Sequence, residues 1–143
     1  MRQLILKSVK IFIFSILLIG SGACKKIQDS QVPSVPFFFE INLNVSNELT
    51  VPGNSMYFPN IAFGGVIVYC ELPDSYYAYD ATCTHEISQN CKVKNEGVLG
   101  TCSCCGSEFI LIGGAFPSKG PAAAPLRQYN VTKVNEYTLR IYN

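Results

Sequence analysis

Cys83-Thr84-His85 and, sixteen residues further on, Cys102-Ser103-Cys104-Cys105 place soft ligands where one tight turn can present two side chains to a single centre. Five of the seven cysteines and the one histidine fall between positions 83 and 105. Thiolate with imidazole suits zinc or an iron–sulfur cluster better than calcium or magnesium, which prefer hard oxygen ligands. The same clustering also fits a disulfide framework, so metal and disulfide both stand as readings of these residues alone. Cys70 ends the apolar run Val66-Ile67-Val68-Tyr69 and reads as a small core residue. Glu86 and Glu108 flank the two loops and read as solvated charges. No Ser-His-Asp arrangement, phosphate loop or nucleotide fingerprint accompanies them.

The elements that must hold these loops are strands. Phe37, Phe39, Ile41, Leu43 and Val45 alternate with Glu40, Asn42 and Asn44, the period of a half-buried strand. Pro52-Gly53-Asn54 marks a turn. Val66 to Cys70, Tyr76 to Tyr79, Val98 to Thr101 and Phe109 to Ile112 are short apolar runs bounded by turn residues. Arg127 to Thr132 and Tyr137 to Tyr142 predict a terminal hairpin. No helical period of useful length appears, so the expectation is an all-β domain, an antiparallel sandwich or small barrel. Each cysteine pair then sits in a loop between strands, and the segment joining them runs out and back as a hairpin. That brings two metal-binding loops together at one end.

The N-terminus reads as an address. Arg2, Lys7 and Lys10 precede the apolar run Ile11 to Gly20, which is long enough for a signal-peptide core and too short to span a bilayer. Ser21-Gly22-Ala23-Cys24 follows, and resembles a bacterial lipobox with Cys24 as the lipidated residue, although Ser21 stands where leucine is usual. Ordinary cleavage after Ala23 is the competing outcome. The expected organisation is a signal peptide over 1–23, a lipid anchor and polar tether over 24–36 and one domain over 37–143. This places the protein in the bacterial cell envelope, lipid-anchored and facing the periplasm. Beyond the signal, eight basic residues face ten acidic ones, and no basic stripe offers itself to nucleic acid.

With their surroundings, the two loops resemble the Rieske family. Gly64-Gly65, Tyr77-Ala78-Tyr79-Asp80-Ala81, Gly106-Ser107-Glu108-Phe109, Gly113-Gly114, Gly120-Pro121-Ala122, Pro125-Leu126 and Tyr129-Asn130-Val131 follow in family order over about residues 60 to 143. The resemblance implies a Rieske-like domain holding a [2Fe–2S] cluster at its tip, under the Gly120-Pro121-Ala122 loop. Cys83 and Cys102 would bind the inner iron and His85 and Cys105 the outer one, with Ser107 able to donate a hydrogen bond. It also implies a brace between the loops: Cys104 holds one of the two positions, Ser88 the other, and Cys91 lies three residues beyond.

The chain departs from the family at Cys105, where a second histidine is usual, and at Phe109, where some relatives have tyrosine. It carries a lone Arg2 in place of the twin-arginine export signal. The implied function is that of an electron carrier rather than an enzyme, working with a redox partner protein and attached to the membrane through Cys24. The alternative is a Rieske-like structural or interaction lipoprotein with zinc or disulfides where the cluster would be.

Overall fold

The computed structural model describes residues 30–143. The expected signal peptide, Cys24 and the start of the expected tether lie outside them. Ten strands and one 3-10 turn follow in order: β1 (Phe38–Asn42), the turn (Asn47–Thr50), β2 (Ser55–Phe58), β3 (Val66–Leu72), β4 (Ser75–Asp80), β5 (Val93–Glu96), β6 (Leu99–Cys102), β7 (Glu108–Ile110), β8 (Phe116–Lys119), β9 (Gln128–Asn135) and β10 (Thr138–Tyr142). They form a six-stranded sheet, β1-β10-β9-β4-β3-β2, and a four-stranded sheet, β5-β6-β7-β8. Every pairing between these strands is antiparallel. The all-β expectation is met.

β3 explains its own composition. Ile67 and Tyr69 enter the core between the two sheets, with Tyr79, Val93, Phe109 and Leu111. Val66 and Val68 point the other way, into a second core with Ile41, Leu49, Leu139 and Ile141, which the curled six-stranded sheet closes around itself. A strand buried on both faces has no polar side to show, hence the unbroken Val-Ile-Val-Tyr-Cys run. Each such side chain contributes about 1.5–3 kcal/mol on burial. Tyr79 links the sheets: its hydroxyl donates to the Leu111 carbonyl at 2.8 Å and accepts from the Gly114 N–H at 3.2 Å.

β1 is shorter than its alternation predicts. The Asn42 side chain accepts from the Asn44 N–H at 2.9 Å, and the Asn42 carbonyl accepts from Val45 and Ser46. This Asx turn takes the chain out of the sheet and leaves Val45 81 % exposed. The segment before β1 is held on the domain. Val32 is buried and its carbonyl accepts from Arg127 Nη1 at 3.0 Å, while Asn143 Nδ2 donates to Ser34 Oγ and the Val35 carbonyl.

Asp80 ends β4 in full burial. Its carboxylate accepts from the Tyr129 hydroxyl at 2.7 Å, the Thr82 N–H at 2.8 Å, and the N–H groups of Gly64 and Phe63 at 3.1 and 3.2 Å. A buried carboxylate survives only when its lone pairs are satisfied in this way. It ties β9, the loop before β3 and the chain entering the first cysteine loop to one point.

Candidate metal centre

The chain leaving Asp80 is guided on both sides: Ala81 N–H donates to Gly65, Val93 N–H to Ala81, and Cys83 N–H to the Cys91 carbonyl at 3.0 Å. A bridge between Thr82 and Lys92 completes this short ladder. It delivers Cys83 fully buried. Cys102 arrives at the end of β6. The turn after it closes through Cys102 N–H to the Ser107 carbonyl (2.8 Å) and Gly106 N–H to the Cys102 carbonyl (3.0 Å). Gly106 takes φ +69°, the left-handed conformation glycine accepts most cheaply.

This turn swings Cys105 back, so its sulfur touches that of Cys83 at 3.5 Å. The sulfurs of Cys83, Cys102 and Cys105 all lie within 4.8 Å of one another. Where metal–sulfur bonds are about 2.3 Å, sulfurs of one tetrahedral site stand roughly 3.8 Å apart.

The surroundings favour charge on Cys105. Ser107 is buried, and its oxygen accepts from the Ala122 N–H at 3.0 Å, leaving its own proton for the Cys105 sulfur 3.1 Å away. Gly120, at φ +88°, lets the Gly120-Pro121-Ala122 loop close down: a Cβ there would stand 2.6 Å from the Ser107 Cα. Burial pushes the Cys105 thiol up, but hydrogen bonds from the Ser107 side chain and backbone, then from Cys83 and Cys102, hold it below its ordinary value. Burial raises Cys83 to about 12. The backbone N–H groups of Glu86 and His85 pull it down, while sharing protons with Cys102 and Cys105 adds to the rise.

His85 is exposed and stands outside the three-thiol group. Its loop is tied down next to it by the Thr84 hydroxyl, which donates to the Ala124 carbonyl at 2.7 Å. Cys91 and Cys104 form a disulfide, Cα–Cα 5.4 Å, joining the two cysteine loops, with a Glu86 oxygen 3.1 Å from the Cys91 sulfur. Glu108 pairs with Lys119 at 2.9 Å on the surface, and Cys70 is buried away from this group. The donor set fits a soft metal centre: three convergent thiols, a hydroxyl aimed at one of them, and an imidazole two residues from Cys83.

No protein-family model matches the chain, and no curated protein does. Solved structures do. A chain in a complex of reduced oxygenase and oxidized ferredoxin in carbazole 1,9a-dioxygenase superposes with TM-score 0.51 and 22 % identity, over 73 % of this chain and 92 % of that one. The fold is Rieske-like. The ferredoxin of carbazole 1,9a-dioxygenase from Nocardioides aromaticivorans IC177 aligns at 24 % identity, over 76 % of this chain and 97 % of its own, with TM-score 0.48. At such identities the likeness is one of fold, and the chemistry of the Rieske-like tip rests on its own residues. Asp80 is the part of that tip to which sequence reasoning gives no role of its own, only a place in the motif Tyr77-Ala78-Tyr79-Asp80-Ala81. A lone acid inside an apolar run is the available signal for it.

Proposed function

We propose that this protein is an exported, lipid-anchored electron carrier, with a [2Fe–2S] cluster held by Cys83, Cys102 and Cys105 and completed by His85. The convergence of three thiols at the tip of a Rieske-like fold carries this reading. When bound, such a cluster supplies a one-electron couple. The chain's own residues supply the rest. Asp80 and the ladder to Cys91 and Val93 fix Cys83. Ser107 donates to sulfur, and the Gly120-Pro121-Ala122 loop and the Cys91–Cys104 disulfide hold the two loops together. Holding, insulating and tuning are all that electron transfer asks of a protein, so no residue is assigned a catalytic role. The oxygenase–ferredoxin complex among its structural neighbours supports a redox partner protein for this chain as well.

The 3.5 Å contact between Cys83 and Cys105 favours a second reading. The family pattern would put these sulfurs on opposite irons, whereas contact at that distance suits one tetrahedral ion, zinc above all. Metal analysis with visible absorption and electron paramagnetic resonance, on protein purified anaerobically from its own envelope, separates the two. Two irons per chain and a signal on reduction are expected. A colourless protein with one zinc overturns the electron carrier in favour of the second reading.

A further inference from the structure

The four-stranded sheet shows two different rows on its outer face. In register, Leu99, Ile110 and Phe116 lie side by side across β6, β7 and β8, at 38 %, 41 % and 44 % exposure. Ile112, at 46 %, follows in the connection after β7. The row nearer the cysteine loops is polar throughout: Lys94, Thr101, Glu108 and Lys119. An apolar row continuous over three strands differs from singly scattered surface residues, and asks for a partner surface.

The chain path says what that surface is. β6 runs into Cys102 and β7 leaves from Ser107, so the β7–β8 connection, with Gly113 and Gly114, lies at the opposite end of the sheet from the thiols. There Ser30 lines a cleft of about 400 Å³ together with Gly113, Gly114, Phe116 and Arg127. Cys24 is six residues before Ser30, a span of at most roughly 20 Å when fully extended. An acyl chain on Cys24 therefore holds this end of the sheet, with Phe116 of the apolar row, within roughly 20 Å of the bilayer surface.

The geometry points to a membrane-resting face: Leu99, Ile110, Ile112 and Phe116 lie against the lipid surface beside the anchor, and the three thiols face away from the bilayer. This rests on the lipid-anchor part of the proposed function. Apolar and aromatic side chains next to an anchor add buried area to the attachment and fix which face meets the lipid. The outward tip then meets partners standing in the aqueous space, not ones buried in the same membrane.

The chain has no tryptophan, so one can be introduced as a unique reporter. Phe116→Trp, Ile112→Trp and, in the β9–β10 turn, Tyr137→Trp are each prepared in the full lipidated chain and added to vesicles with plain or brominated acyl chains. Blue-shifted emission and loss of intensity in brominated lipid are expected for the first two and not for Tyr137→Trp. Ile112→Trp carries the test if Phe116→Trp folds poorly. A protein that floats with vesicles while both reporters stay unquenched overturns the face and leaves the anchor standing. A protein that does not float overturns the anchor and the face together. A blue shift in native envelopes without quenching in protein-free vesicles gives the face to a protein partner, and likewise overturns the proposal.

Discussion

Replacing Ser107 by alanine removes one hydroxyl and leaves two groups without a partner. The Ala122 N–H loses its 3.0 Å acceptor in a buried position, and the Cys105 sulfur loses its 3.1 Å donor. A stranded buried amide costs about 1–3 kcal/mol, so the variant should unfold at lower urea by that amount. A hydrogen bond to a charged group is worth about 1.5–3 kcal/mol in all. At about 59 mV per 1.4 kcal/mol, the whole of that bond would be roughly 60–130 mV for a one-electron couple. Only the part that differs between oxidation states counts, so a fall of some tens of millivolts is expected. In metal-free protein the same loss should raise the Cys105 thiol, because the hydroxyl favours the thiolate. Alkylation of Cys105 followed against pH reads this directly, and its midpoint should move upward. A midpoint that stays put while stability falls would mean that Ser107 serves the Gly120-Pro121-Ala122 loop alone, and that the tuning argument is wrong.

Three other outcomes follow from the same structure. Cys105→His should raise the potential of the reconstituted centre and add a second pH-dependent step, since a neutral imidazole replaces an anionic thiolate; film voltammetry against pH checks it, and an unchanged potential would exclude Cys105 as a ligand. Cys104→Ser opens a disulfide with a sequence separation of 13, which should cost about 3 kcal/mol in urea unfolding and speed transfer of metal to a chelator; equal release rates would show that the loops hold without their brace. Burial, foremost, raises the hydroxyls of Tyr79 and Tyr129. The folded state therefore keeps protons that the unfolded chain loses, so their contribution is complete below about pH 10 and declines above it. Urea midpoints from pH 8 upward should fall past that point, and Tyr79→Phe should fall less steeply; parallel curves would refute the assignment.

The sequence made some parts of this legible and left others dark for physical reasons. β3 and β4 were readable because burial on both faces forces an apolar run, and the terminal hairpin because its strands alternate. β5 was not: Val-Lys-Asn-Glu has one apolar residue, and it is a strand only because β6 lies in register beside it. β8, Phe-Pro-Ser-Lys, carries a proline that an edge strand tolerates and a pattern search rejects. The division into two sheets depends on distant pairings such as β1 with β10, which local pattern does not encode. At the tip, the meeting of the two cysteine loops followed from their spacing between strands. The approach of Cys105 to Cys83, and the exposed place of His85, depend on how the Gly106 turn and the Thr84 tie orient side chains.

β3 also limits how the domain can come apart. Its buried residues alternate between the two cores, Ile67 and Tyr69 in one, Val66 and Val68 in the other, so neither core can open while the other stays shut. The cysteine loops hang from one core and the terminal hairpin closes the other, yet both lean on the same four residues, Val66 to Tyr69. Amide protons of β3 should therefore exchange only through global opening, and those of β6 beside Cys102 and β10 beside Leu139 should slow to a common limit. A protease that meets this chain finds no partly loosened half to cleave: either both cores are intact or neither is.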